Sequence, residues 1–182
     1  TVGTGVAKII TSPEGRHPLV SKIELKRVAI RDIHKPRSVS IPFELITQDP
    51  LEVIEDPSVE VVVEVIGGIE PARSLILQAI KSGKSVVTAN KAVIARHGEE
   101  IASAANSAGV YVLIEAAVGG GIPIIEPLKQ SLGGNRIKKV TGIINGTTNY
   151  ILSRMAKEGA DYKSVLKEAQ ELGYAESDPM AD

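Results

Sequence analysis

Residues 60–66 read EVVVEVI and are closed by Gly67-Gly68, a short run rich in β-branched residues that predicts a strand ending in a turn. Further apolar runs alternate with helical patterns on either side of it. Residues 25–30 predict a strand, followed by a turn-rich stretch over 31–42. Asp49-Pro50-Leu51-Glu52 combines an N-cap, a proline at the first helical position and a capping-box glutamate, so a short helix starts there. Pro71 opens a helix in which Leu75, Ile76, Ala79 and Ile80 recur at helical spacing until Gly83 stops it. Residues 85–88 predict a strand, 99–108 a helix with Gly109 as its stop, and 110–114 another strand. Such alternation implies right-handed βαβ units and a doubly wound parallel sheet of the α/β class. Composition agrees: Val, Ile and Leu make up 53 of 182 residues and only five are aromatic, the excess that strands buried on both faces require.

The texture changes after Glu115. Gly119-Gly120-Gly121 reads as a flexible joint, Pro123 as the start of a helix ending near Gly133-Gly134, 138–144 as a strand, and 148–157 and 161–172 as helices. A boundary is therefore expected near 116, with 1–116 forming a dinucleotide-binding domain and 117–182 beginning a substrate-binding, α+β catalytic and dimerisation domain. The opening Thr1-Val2-Gly3-Thr4-Gly5 reads as the entrance to a helix reaching about Ile10, with no strand ahead of it, and the chain stops in the acidic Asp178-Pro179-Met180-Ala181-Asp182. The expectation is a fragment cut at both ends.

Charge and cysteine content exclude several functions. With 21 basic and 22 acidic residues, nothing favours a nucleic-acid or membrane-surface partner. The absence of cysteine removes disulfides, thiolate zinc sites, Fe–S clusters and thioester-forming dehydrogenase chemistry. No run approaches a membrane span and no signal peptide opens the chain, so the expected compartment is the cytoplasm.

Open α/β sheets bind ligands beyond the carboxyl ends of their strands. That rule selects the turn over 1–5, Gly67-Gly68, Thr88-Ala89-Asn90-Lys91, and Glu115 with its glycine loop. Gly3 would be the glycine of a G-x-G-x-x-G fingerprint that permits close helix–strand packing, or an ordinary glycine near a helix start. Arg31, Lys35 and Arg37 suit an adenine ribose 2′-phosphate and lean towards NADP, while Asp32 leaves NAD open; a solvated charged turn accounts for the same residues. Lys91 is placed to hold a substrate or relay a proton, unless it is one more solvated lysine. Glu115 and the carbonyls of 118–122 suit a hard cation, against a helix-capping glutamate beside a hinge. Glu176, Asp178 and Asp182 put three carboxylates within seven positions, which suits a substrate ammonium group, or forms a solvated acidic turn. His17, His34 and His97 have no metal-ligand spacing.

Five segments together, TVGTG at 1–5, VVTANKAVI at 86–94, EAAVGGGIPII at 115–125, GIINGTTNYIL at 142–152 and LGYAESDPMAD at 172–182, resemble the homoserine dehydrogenase family in order and spacing. The resemblance implies a Rossmann-type domain and NAD(P)-dependent interconversion of L-aspartate 4-semialdehyde and L-homoserine, the branch step towards threonine, methionine and isoleucine, in a homodimer. By position, Val2, Gly3 and Gly67 match cofactor contacts, and Lys91 a lysine near nicotinamide and substrate that binds and transfers a proton. Gly173 matches a contact on the nicotinamide side. Glu115 through its side chain, with Val118, Gly120 and Ile122 through their carbonyls, matches a sodium site. Glu176 matches the carboxylate on the homoserine amino group, and Thr147, Tyr174 and Asp182 further substrate positions. The family's second catalytic lysine has no counterpart here, so the chain by itself is expected not to turn over. The alternatives are a non-catalytic nucleotide-binding or regulatory module of the same fold, or a dehydrogenase for another small aldehyde.

Overall fold

A computed structural model describes residues 2–12 and 14–175. The chain divides into two compact units, Thr1–Leu132 and Gly133–Asp182.

The first unit is α/β with parallel strands. Helix α1 (Val2–Thr11) leads to strand β1 (Val28–Ala29), which pairs in parallel with β2 (Ile46–Thr47). Helix α2 (Pro50–Glu55) follows, then β3 (Val61–Glu64), α3 (Ala72–Lys81), β4 (Ser85–Thr88), α4 (Lys91–Ala108) and β5 (Val112–Leu113). Strands β3, β4 and β5 form a second parallel sheet in that order. The strands thus split into two sheets. The unit's core is built by Ile54, Ala72, Ile76, Ala79, Ile80, Val86, Val93, Ile101 and Ala105, where the helical repeat of α3 meets the inward phase of β4.

Several expectations need correction. The strand expected over 25–30 pairs only at Val28–Ala29, and β2 carried no local signal because two residues are too short to show alternation. The strands expected over 60–66 and 110–114 are likewise shorter, Val61–Glu64 and Val112–Leu113. Helix α4 begins at Lys91 rather than residue 99, because the Asn90 side chain caps it by accepting the Val93 N–H. At α2 the Asp49 cap accepts from Leu51 as expected, but the reciprocal half of the capping box is not made. The Asp49 N–H goes to Thr47 Oγ1 instead, and Glu52 turns towards Arg27 at 3.9 Å. Burial on both faces of the sheet is not reached either, since Val61 and Val63 are exposed.

After β5 comes a single helical turn, α5 (Glu115–Val118), a glycine turn, and a helical stretch from 125 to 131 whose later part, Pro127–Ser131, is π-helical. In the second unit α6 (Gly146–Glu158) and α7 (Tyr162–Glu171) pack around Ile151, Val165, Ala169 and Ala175. The strand expected over 138–144 is absent. Its apolar side chains have no strand partner among the described residues, and Ile143 and Ile144 stand 74% and 95% exposed.

Candidate functional site at the carboxyl edge of the sheet

In a parallel sheet every strand ends on the same edge, and loops there can converge. The ladder pairs Glu64 with Thr88 at the last step of β3 and β4. Both side chains point into the buried phase, and they meet: Thr88 Oγ1 donates to Glu64 Oε2 at 2.6 Å. Glu64 Oε1 accepts the Ile66 N–H at 2.7 Å and the Gly67 N–H at 3.4 Å. Thr88 Oγ1 in turn accepts the Asn90 N–H at 3.0 Å, and Asn90 Nδ2 donates to the Gly68 carbonyl at 2.8 Å. Gly67 and Gly68 both sit in the left-handed region, at φ 82° and 75°, where only glycine is at ease. Lys91 follows as the first, exposed residue of α4.

The amino end of α1 approaches the same edge. A Cβ on Gly3 would stand 3.2 Å from Val65 Cγ2, so this glycine lets the helix come close to the exit of β3. Val2 is exposed beside it. Helix α5 packs against both β4 and α4, which brings Glu115 alongside. Gly3 and Gly67 thus both lie at the exit of β3, and Lys91 and Glu115 open two helices that touch each other.

Glu115 shows what its carboxylate does locally. It accepts the N–H groups of Ile124, Ile125 (3.0 Å) and Glu126 (2.9 Å), capping the helical stretch that starts there. These backbone donors, Ile124 foremost and then Glu126, hold its carboxyl below the ordinary glutamate range. A carboxylate has about four acceptor positions, so three bonds leave room for a further partner. A Cβ on Gly119 would overlap the Ile122 carbonyl oxygen, so the glycine turn is folded tightly on itself. Among the described residues no cluster of three or more His, Asp or Glu could hold a metal. The oxygens that Glu115, Val118, Gly120 and Ile122 carry, one carboxylate and three backbone carbonyls, are all hard.

Arg31 lies just past β1, in the other sheet. Asp32 accepts the His34 N–H at 2.9 Å, and Arg37 donates to the carbonyls of Lys35 and Asp32, both at 2.8 Å. Asp32 and Arg37 are therefore engaged within the loop, whereas Arg31 and Lys35 form no ion pair among the described residues. The loop thus offers both signs of charge, the Arg31 and Lys35 cations and an Asp32 carboxylate that accepts the His34 N–H.

In the second unit Thr147 and Tyr174 are brought together, the Thr147 hydroxyl donating to the Tyr174 carbonyl at 2.5 Å. The Tyr174 ring stacks at a tilt on Tyr150, centroids 5.0 Å apart, and both line a cavity of about 410 Å³ with Arg154 and Lys157. Gly173 adopts φ 78° and ends α7, its N–H bonded to the Gln170 carbonyl at 3.1 Å. Glu176, Asp178 and Asp182 lie outside the described residues.

The sequence did not point to Glu64, Thr88 or Asn90 as a connected group. The available signal was a glutamate in the inward phase of a valine run, but only the register of β3 against β4 tells that it faces a hydroxyl.

Comparison with known proteins identifies the family. Residues 1–115 match the family model described as homoserine dehydrogenase, NAD binding domain, and 123–182 match the model described as homoserine dehydrogenase. A curated homoserine dehydrogenase of Synechocystis sp. is 63% identical over 182 residues, which is 100% of this chain and 42% of that protein. The crystal structure of a homoserine dehydrogenase from Thiobacillus denitrificans superposes with a TM-score of 0.79 at 48% identity, over 99% of this chain and 42% of that one. A hyperthermophilic archaeal homoserine dehydrogenase in complex with NADPH gives a TM-score of 0.66 at 29% identity, covering 97% of this chain and 48% of that one. The chain spans about two fifths of the length of the curated relatives it matches. With an NAD-binding fold whose loops converge as described and a family model covering residues 1–115, the chain belongs to the homoserine dehydrogenase family.

Proposed function

We propose that this chain carries the cofactor-binding part, and the start of the substrate-binding part, of an enzyme interconverting L-aspartate 4-semialdehyde and L-homoserine. The observation that carries the reading is the joining of Gly67-Gly68 and the Lys91 end of α4 through Glu64, Thr88 and Asn90 at the carboxyl edge of the sheet. Val2, Gly3 and Gly67 hold the dinucleotide backbone there, Gly3 and Gly67 by allowing close approach and left-handed backbone. Arg31 meets the adenine ribose and favours NADP over NAD. Gly173 touches the nicotinamide side, and residues 117 onward form the substrate part.

NADPH, when bound, supplies hydride to the aldehyde carbon. The protein's share is to orient the aldehyde and stabilise its oxygen. Lys91 Nζ donates to the carbonyl oxygen and delivers a proton as negative charge develops there. Glu176 holds the substrate ammonium with a charge-assisted bond, and Thr147, Tyr174 and Asp182 shape the pocket around it. Glu115 through its carboxylate and Val118, Gly120 and Ile122 through their carbonyls would hold a sodium ion, which would stiffen the glycine turn. The enzyme works as a homodimer in the cytoplasm; among the described residues no helix is long and apolar enough to cross a membrane.

The test uses the full gene product that carries this sequence. NADPH consumption with L-aspartate 4-semialdehyde should be matched by homoserine formed, and Lys91→Ala should lower kcat by about 10²–10⁴. Binding of NADPH without turnover would favour the non-catalytic module instead, and near-normal turnover by Lys91→Ala would remove the role given to that lysine.

A further inference from the structure

We infer that Glu64 is a positioning residue whose buried carboxylate ties the Gly67-Gly68 loop to the amino end of α4, setting the cofactor loop and Lys91 as one piece. The inference rests on the proposed function above, in which this edge binds a nicotinamide dinucleotide.

Glu64 is 4% exposed, Thr88 0% and Asn90 6%, and no ion pair reaches Glu64 among the described residues. Keeping a carboxylate there without a cation is costly unless its oxygens are hydrogen-bonded. Both are, and because a carboxylate only accepts, the direction of every bond is fixed. Ile66 and Gly67 donate to one oxygen and the Thr88 hydroxyl to the other. With its hydroxyl hydrogen directed at Glu64, Thr88 is left to accept from the Asn90 backbone. Asn90 closes the circuit, donating from Nδ2 to the Gly68 carbonyl and accepting the Val93 N–H that starts α4.

Joining β3 to β4 does not require this circuit, since the ladder from Val61↔Ser85 to Glu64↔Thr88 already holds the strands together. What it adds is a fixed path for the backbone after each strand, where the two loops face the ligand edge. Among the described residues of the unit, the other buried charge supplies a contrast. Lys84, 6% exposed, precedes β4 at the opposite edge and donates to the carbonyls of Asp56 and Val59 at 2.6 and 2.5 Å. It ties a loop of the same sheet without touching the ligand edge.

The experiment compares Thr88→Val, Thr88→Ser, Glu64→Gln and Lys84→Met in the full gene product. It reads NADPH dissociation by fluorescence titration, steady-state kinetics, and amide exchange of Ile66 and Gly67 in the cofactor-free protein. Thr88→Val keeps the side-chain shape but breaks the bridge, leaving a Glu64 oxygen and the Asn90 N–H unpaired. It and Glu64→Gln should weaken NADPH binding about tenfold or more, lower kcat, and speed exchange at both amides, while the KM for the semialdehyde moves less. Thr88→Ser restores the hydroxyl and should recover most of the loss. Lys84→Met should cost thermal stability and leave NADPH binding as in the wild type.

Unchanged NADPH affinity in folded Thr88→Val and Glu64→Gln, or an equal loss in Lys84→Met, would overturn the inference. Should Glu64→Gln fail to fold, the Thr88→Val and Thr88→Ser pair decides. A wild-type product that binds NADPH but leaves the semialdehyde untouched refutes the proposed function while the affinity comparison still stands. A wild type that binds neither NADPH nor NADH refutes both.

Discussion

Two glycines of the second sheet offer a matched perturbation. Gly67 follows β3 at the carboxyl edge with φ 82°, and Gly83 precedes β4 at the amino edge with φ 73°. A Cβ at either position meets nothing within 4 Å, so alanine collides with no neighbour and the cost is conformational alone. Holding alanine in the left-handed region costs about 1–2 kcal/mol, partly offset by its smaller freedom in the unfolded chain, for a net loss near 1 kcal/mol. Gly67→Ala and Gly83→Ala should therefore lower Tm by a similar few degrees in scanning fluorimetry. Their effects on cofactor should diverge. At Gly67 the strain is relieved by swinging the peptide away from Glu64, and binding must force it back. A cost of about 1–2 kcal/mol at that step weakens NADPH about five- to thirtyfold, whereas Gly83→Ala leaves affinity intact. Equal loss of affinity in both variants, or wild-type affinity in Gly67→Ala despite its lowered Tm, would refute the assignment of the carboxyl edge.

Arg31→Ala should weaken NADPH by about tenfold or more, the worth of a charge-assisted bond, and leave NADH unaffected; equal effects on both cofactors would place the arginine elsewhere. Sodium should raise Tm over potassium at matched ionic strength in the wild type and not in Glu115→Ala, and identical curves in the two salts would dismiss the ion. Asp56 is held down to about 2, first by the Ser58 hydroxyl and N–H and then by Arg27. Its folded value lies below its unfolded one, so the stability it contributes is complete above about pH 4 and is lost as pH falls towards 2. Tm against pH should consequently be flatter over that window in Asp56→Asn than in the wild type, and parallel curves would show the carboxylate to be immaterial.

Much of the first unit was legible because its signals are local. The valine run of β3, the repeat of Leu75, Ile76, Ala79 and Ile80 in α3, and the stops at Gly83 and Gly109 are each read within one element, and the structure places α3 and β4 accordingly. What failed was what depends on a distant partner. Residues 138–144 have a strand's composition but gain nothing from an extended form without a neighbouring strand to complete their hydrogen bonds. The start of α4 carries little local signal because Gly98 and the polar residues around it hide the helical repeat, although the Asn90 cap fixes its first turn. The same holds at the site. Gly67 and Lys91 are visible from their position after strands and Gly3 from its place at a helix start, whereas Glu64 reads locally as one more charge in a strand. Its connection to Thr88 and Asn90 is a product of register, which no single segment contains. Glu115 is a further case: both of its readings were open in the sequence, and the structure adds the capping bonds to Ile124, Ile125 and Glu126 without removing acceptor capacity for an ion.

The most direct trial is a crystal structure of the full gene product with NADP and L-homoserine bound. Expected there are the Gly67 backbone against the dinucleotide, Lys91 Nζ within hydrogen-bond reach of the homoserine hydroxyl, and the Glu176 carboxylate on its ammonium group. Lys91 and Glu176 opening onto separate surfaces, unable to touch one small molecule, would contradict it.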